Sequence, residues 1–308
     1  MVTRMTPGSH HLSKSPDAET EADSSDSGYL TLTSNWENDL RDTRFGPFEV
    51  VGITGSTNDD LVARVAGPAD DGLVLVADHQ SAGRGRMDRR WEAPAGTNLT
   101  FSALLRPAWL VAAGGDTCPD RRGLITSALA VSVVKVLETL GLNAAVKWPN
   151  DVVLIPSGDD DVRAGKIAGI LAELVTSERP AIVVGLGFNV GWPPLGPSTS
   201  DEPVLPGATS LVRAGIRADR WQLLVDVLGA FDSQLNALEA LDGPERLRRG
   251  HLTVSATVGS RVRVERPRGD LVGKAVDLTV NGALVVLPDR GGFQVKVHSG
   301  DITHLHAG

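Results

Sequence analysis

Residues 80–91 read Gln-Ser-Ala-Gly-Arg-Gly-Arg-Met-Asp-Arg-Arg-Trp, so four arginines and an indole crowd onto one glycine-punctuated stretch. An arginine fork grips a carboxylate or phosphate through paired N–H donors, and glycines such as Gly83 and Gly85 let backbone approach an anion closely. In a chain of formal charge −8, that pattern points to a clamp for one anionic ligand. A solvated basic turn is the plainer reading when the stretch is taken alone. Three more segments mix polar residues into apolar runs. Lys147-Trp148-Pro149-Asn150-Asp151 sets a cation and a carboxylate beside a proline, and 165–171 carries a lone lysine, Lys166, in Gly-Lys-Ile-Ala-Gly-Ile-Leu. Gly-Leu-Gly-Phe-Asn at 185–189 closes an apolar run with small residues and an amide. Singly these read as a surface ion pair, an edge charge and packing relief, and Ser56-Thr57-Asn58 reads as a helix cap.

The elements that must carry these residues follow from periodicity. A short apolar run over 48–53, then Gly55-Ser56-Thr57-Asn58 and Leu61, Val62 and Val65 at helical spacing, predict a strand, a capped turn and a helix. Asp71-Gly72 turns the chain into a strand over 73–78 that delivers the arginine stretch, and 98–105 is the next strand. Apolar residues at 125, 129, 133, 136, 137 and 140, with Gly141 beyond them, predict a core-facing helix over 121–140. Strands are expected over 145–155 (kinked at Pro149), 165–175 and 181–190, with an acidic hairpin tip at 157–163, then a helix over 218–240. The last fifty residues show only short strands, at 262–264, 276–280, 283–287 and 293–297, with turns at Asn281-Gly282 and Arg290-Gly291-Gly292, and predict a small barrel. Residues 1–42, rich in Ser, Thr, Asp and Glu, predict a disordered acidic tail. The expected division is therefore 1–42 tail, 43–254 main domain and 255–308 barrel.

Composition narrows the function. The one cysteine, Cys118, excludes an internal disulfide framework and cysteine-ligated clusters. No signal peptide or membrane-length apolar segment appears, so no membrane association and a cytoplasmic location are expected. No basic stripe or basic helix lies outside the arginine stretch, so no nucleic-acid partner is expected.

Taken in order, Gly-Ser-Thr-Asn (55–58), Gln-x-x-Gly-Arg-Gly-Arg…Trp (80–91), Lys-Trp-Pro-Asn-Asp (147–151), Gly-Lys-Ile-Ala-Gly-Ile-Leu (165–171) and Gly-Leu-Gly-Phe-Asn (185–189) resemble the biotin protein ligase family. The resemblance runs from about Val50 to the C-terminus, and its most specific parts are the arginine stretch and Lys-Trp-Pro-Asn-Asp. It implies an α+β fold, a mixed β-sheet flanked by helices of the biotin/lipoyl protein ligase type, with a small C-terminal SH3-like β-barrel. It also implies a two-step reaction: biotin and ATP give biotinyl-5′-AMP, and a lysine of a biotin carboxyl carrier domain of a carboxylase then takes the biotinyl group. By the same resemblance Lys166, Arg84 and Arg86 are catalytic. Biotin falls to Ser56, Thr57, Asn58, Gln80, Gly83, Gly85, Gly169 and Gly185 together with those three cations. ATP falls to Arg86, Trp91 (stacked on adenine), Lys147, Asn150, Asp151 and Asn189. Mg²⁺ is implied on the triphosphate, although no ligand spacing in the sequence marks its site. Asp88 stands where many members have glycine, and the acidic tail stands where some carry a winged helix, which suggests an enzyme without operator binding. Rival readings are a lipoate or octanoate protein ligase, which would lack Gly-Arg-Gly-Arg with a following tryptophan, a biotin-responsive DNA-binding regulator, and a nucleotide-binding module without transfer activity. The target carboxylase, and whether the sheet edge serves a homodimer or the carrier, stay open at this level.

Overall fold

The structure, a computed structural model, describes residues 29–30, 36–111, 122–155, 164–195, 207–266 and 269–305. The expected hairpin tip at 157–163, the loop containing Cys118, and most of the expected tail lie outside these residues. In chain order the elements are β1 (Tyr29–Leu30), α1 (Trp36–Asp39), β2 (Phe48–Thr54), α2 (Thr57–Arg64), β3 (Val74–Gln80), β4 (Leu99–Leu105), α3 (Arg122–Thr139), β5 (Ala144–Lys147), β6 (Asp151–Leu154), β7 (Gly165–Val175), β8 (Ala181–Phe188), α4 (Arg220–Leu238), α5 (Gly243–Thr253), β9 (Arg261–Glu265), β10 (Leu271–Leu278), β11 (Leu284–Pro288), β12 (Val295–Val297) and β13 (Asp301–His304). A short 3₁₀ turn, Ala108–Leu110, follows β4.

An eight-stranded sheet in the order β1-β2-β3-β4-β8-β7-β6-β5 forms the main domain. Only β2 and β3 pair in parallel, because α2 supplies the crossover between them; the other neighbours are antiparallel. Alternation along the central strands divides the core in two. On β3, Val74 and Val76 join the cluster under α3, α4 and α5, while Leu75 and Ala77 join the smaller one under α2. On β8, Ile182, Val184 and Leu186 face the first cluster, and Ala181 and Val183 the second. The α2 face therefore runs out of apolar side chains at Gly185 and Gly187, and there the sheet is left open.

The C-terminal unit is a five-stranded antiparallel sheet in the order β12-β11-β10-β9-β13. Among the described residues no pairing joins β12 to β13, so the small barrel expected here is seen as this antiparallel sheet without a closing ladder. Its core contains Val262, Val264, Ala275, Leu284 and Val286, and also Trp148 from the β5–β6 turn. Trp148 donates its indole N–H to Gly282 O at 2.9 Å, and its backbone N–H to Thr257 Oγ1 at 3.0 Å. Gly282, at φ +83°, turns β10 into β11 as Asn-Gly predicts.

Several boundaries differ from the expectation. The single strand expected over 145–155 is a hairpin of β5 and β6, broken by the cis Trp148–Pro149 bond. Helix α5 was not legible because, apart from Gly243, it buries only Leu247 and His251 among many charged residues. The tail boundary at 42 falls inside packed structure: Leu40 is buried in the main core, and Phe45 stacks on Phe231 of α4 at 5.7 Å between centroids. Tyr29–Leu30 extends the sheet edge beside β2.

His251 sits 1% exposed with one ring nitrogen 3.0 Å from Ser127 Oγ of α3, and burial pulls its pKa down from 6.5 to about 4. The fold thus holds the neutral ring while the unfolded chain takes up the proton, so stability is full above pH 6.5 and falls as pH drops toward 4. Chemical denaturation is expected to show a loss of about 2 kcal/mol at pH ~5 relative to neutral pH from this group, a loss that His251→Gln removes.

Candidate active site

The open part of the sheet is paved by register. Ser102 of β4 pairs with Gly185 of β8, which pairs with Leu171 of β7; one step on, Thr100, Gly187 and Gly169 align in the same way. Directly opposed residues share a face, so these six form a floor, with Glu173 next along β7. The missing side chains are filled from above. A Cβ on Gly185 would lie 2.2 Å from Asn58 Oδ1, and one on Gly187 would lie 2.2 Å from Trp91 Cε2. A cavity of about 520 Å³ stands over this floor, within the roughly 300–1,000 Å³ of small-molecule clefts.

Lys166 reaches the cavity through a bulge. Between β6 and β7 the register moves from Val152↔Ala168 to Val153↔Lys166, so two β7 residues oppose one step of β6 and the alternation changes phase. Ile167 and Ala168 both enter the core, and the lysine joins the face of Gly169, where an added Cβ would lie 3.1 Å from its Nζ. The ammonium bonds Asp151 Oδ1 at 2.7 Å and lies 5.5 Å from the centroid of the Trp91 ring. The β5–β6 turn delivers that carboxylate, along with Asn150, whose Nδ2 is fixed by Ile170 O and whose Oδ1 accepts from Arg86 Nη1 at 3.3 Å.

The arginine stretch is a tight hairpin rather than an open loop. Arg84 bridges Arg90, Gly85 N–H bonds Arg89 O, and Met87 and Asp88 turn the tip at φ +54° and +58°. Aspartate is among the few side chains that accept that conformation, which answers the departure at Asp88. Gly83 is required by close approach, since a Cβ there would meet Trp91 O at 2.3 Å. Three of the four arginines already have carboxylates: Arg84 holds Glu173 and Asp59, Arg89 pairs with Asp301 of β13, and Arg90 with Glu92. Arg86 has no carboxylate within ion-pair distance among the described residues. Burial lowers its pKa, with Arg122 and Arg89 adding repulsion against the pull of Asp151. For Arg84, burial also acts downward, but Glu173 and Asp59 outweigh it and hold the guanidinium above its ordinary value.

Most of the expected residues meet here: Thr57, Asn58, Gln80, Arg84, Gly85 and Arg86 line the cavity, as do Trp91, Lys147, Asn150, Asp151, Lys166, Gly169, Gly185 and Asn189. Two do not. Ser56 caps α2 by accepting from Asp59 N–H, and Gly83 serves the hairpin behind the lining. The glycines also make room for neighbouring side chains, Gly185 for Asn58, and Gly169 for Lys166 and Trp91. Asn189 has its amide engaged by protein: Nδ2 donates to Thr209 O and Lys166 O, and Oδ1 accepts from Asn98. Sequence reasoning missed Ser102, Glu173, Asp59 and the wall from the C-terminal sheet, where Glu265, Asp301, Ile302 and Thr303 face the cavity. Glu173 was findable, being the one acid in an eleven-residue apolar strand.

A glycine floor with a re-aimed lysine, beneath a basic hairpin, makes a cleft whose cations suit an anionic ligand, as enzymes that activate carboxylates require. The comparisons specify the class. Residues 53–189 match the model of the Biotin/lipoate A/B protein ligase family, and 257–305 match the Biotin protein ligase C terminal domain. A biotin–[acetyl-CoA-carboxylase] ligase of Mycobacterium tuberculosis is 37% identical over 286 residues, 87% of this chain and 95% of that protein. A ligase of the same description from Paracoccus denitrificans is 31% identical over 77% of this chain and 93% of its own. The biotin protein ligase of Aquifex aeolicus, solved in complex with biotin and ATP, superposes with a TM-score of 0.65 at 25% identity, covering 85% of this chain and all of that one. The chain belongs to the biotin protein ligase family.

Gly187→Ala is expected to expel the indole from the floor, an overpacking cost of about 1–3 kcal/mol. The near-UV dichroism lost in Trp91→Phe should also be lost in Gly187→Ala, while the far-UV spectrum of both holds.

Proposed function

We propose that the chain activates biotin with ATP as biotinyl-5′-AMP and passes the biotinyl group to a lysine of a biotin carboxyl carrier domain of an acyl-CoA carboxylase. The single observation that carries this reading is the convergence of Lys166, Arg86 and Arg84 on one glycine-floored cavity. In the first step a carboxylate oxygen of biotin attacks the α-phosphorus of ATP; the new O–P bond forms as the bond to pyrophosphate breaks. An anion approaching a polyanion needs positive charge already in place. Lys166 would meet both reacting groups, exchanging or sharing its bond to Asp151. Arg86, with no carboxylate of its own among the described residues, would take the ligand's charge. Thr57, Asn58 and Gln80 offer mixed donors and acceptors for the ureido ring, Trp91 a flat face for adenine, and Lys147, Asn150 and Asp151 the phosphate end. In the second step the carrier amine attacks the acyl carbon and AMP leaves, taking the bonding pair. Arg84 and the hairpin would keep the mixed anhydride from water until then.

Magnesium belongs to this reading as a companion of the triphosphate. Among the described residues no three His, Cys, Asp or Glu side chains gather into a metal cage. The donors present suit a cation held mainly by phosphate and water, with charge neutralisation as its contribution. We further read the protein as cytoplasmic and without a nucleic-acid partner; no described helix is long and apolar enough to cross a membrane.

Lys166→Ala is expected to cut biotin-dependent ATP–pyrophosphate exchange by about a hundredfold or more with an unchanged melting profile. Near-normal exchange removes Lys166 from its role. Arg84→Gly should still form the adenylate but release it about tenfold faster, measured by chasing labelled biotinyl-AMP from the enzyme. Lipoate in place of biotin should give no exchange; turnover with lipoate would favour the rival ligase.

A further inference from the structure

Among the described residues, Glu173 is a carboxylate that bonds both Asn58, packed over the floor, and Arg84 of the hairpin. Its Oε2 accepts from Asn58 Nδ2 at 2.7 Å, and its two oxygens take Arg84 Nη2 at 2.8 and 2.7 Å, with Asp59 Oδ1 2.6 Å from the same nitrogen. All of these contacts fall on Nη2, so the rest of the Arg84 fork has no partner among the described residues and stays available to an anion.

The Asn58 end continues inward. Asn58 Nδ2 also reaches Leu171 O, and its Oδ1 accepts from Ser102 Oγ at 2.6 Å; Ser102 Oγ lies 2.6 Å from Thr57 Oγ1, and Thr57 N–H donates to Gln80 Oε1 at 2.8 Å. An asparagine amide has nearly the same shape either way round, so its partners decide which atom faces which side. Here two acceptors, one of them charged, stand on one side of Asn58, and a hydroxyl stands on the other. Asn58 and Ser102 are buried, so reversing the amide would leave polar atoms without water to turn to, and the change would pass to Thr57 and Gln80.

Resting on the function proposed above, we propose that Glu173 is a positioning residue that fixes the orientation of the Asn58 amide in the biotin pocket and holds Arg84 across its mouth, so that one carboxylate sets both floor and clamp. Glu173 touches neither reacting atom. It acts by presenting the pocket's hydrogen-bonding pattern and the free edge of the fork before the ligand arrives.

The test uses the full chain, with biotin binding by calorimetry, ATP–pyrophosphate exchange, and release of labelled biotinyl-AMP. Glu173→Gln keeps the shape and removes the charge; it is expected to weaken biotin affinity about tenfold and hasten adenylate release about tenfold, while kcat for exchange at saturating biotin changes by less than about threefold. In an Arg84→Ala background the same change should no longer affect release, because the two act through one contact, yet should still weaken biotin. Ser102→Ala, which removes the donor to Asn58 from the other side, should lower biotin affinity without affecting release. Biotin affinity and release within about twofold of wild type in Glu173→Gln, or an effect on release that adds to that of Arg84→Ala, overturn the proposal. A wild-type protein that produces no pyrophosphate from biotin and ATP instead overturns the functional reading on which it rests.

Discussion

One inserted residue in β7 turns a strand that would otherwise bury its lysine into one that presents it. With Ile167 and Ala168 both in the core, the alternation restarts out of phase, and Lys166 comes up beside Gly169, Asp151 and Trp91. Everything else in the cleft is arranged around that ammonium. The β5–β6 turn brings its counter-ion, the glycines of β7 and β8 leave space for the indole it faces, and Asn189 binds the lysine's own carbonyl to Thr209, fixing the strand at the point of the bulge. A bulge is well suited to this because backbone geometry, rather than a flexible side chain, sets the direction.

Charge is distributed with similar economy. A hairpin with four arginines in an acidic chain would be expected to draw polyanions broadly, but three of the four are matched by carboxylates from β7, α2, β13 and the hairpin's own end. The unmatched charge is thereby centred on Arg86, a half-buried guanidinium whose desolvation is offset only partly by Asp151. An incoming carboxylate or phosphate restores what burial removed. Electrostatic selectivity here comes from cancelling most of the positive charge and leaving the remainder where water is scarce.

The motifs were legible because each combines a residue type with a backbone demand: arginine forks with glycines at close approaches, an Asn-Gly turn, a polar cap after an apolar strand. The helices over 122–139 and 220–238 were legible from their spacing. What the sequence concealed was arrangement in space. That Gly185 and Gly187 leave room for Asn58 and Trp91 depends on register between strands far apart in sequence. Ser102 reads as an ordinary interruption of an apolar strand until Gly185 is placed opposite. Ser56, expected at the site by its neighbours, caps α2, a contact that its type alone also explains. Helix α5 escaped because its buried face is, apart from Gly243, only Leu247 and His251, one i, i+4 pair in a short and strongly charged stretch.

The tryptophan between Lys147 and Pro149 carries a consequence for how the two units relate. Its ring belongs to the core of the C-terminal sheet, although its backbone forms the turn that holds Asn150 and Asp151. A substitution anywhere in that small sheet which alters its packing is transmitted, through one indole, to the carboxylate that pairs with the central lysine. Turnover can therefore be adjusted over generations from a module that contributes no reacting group, and exchanging that module for a relative's without its matching turn would be a change to the chemistry itself.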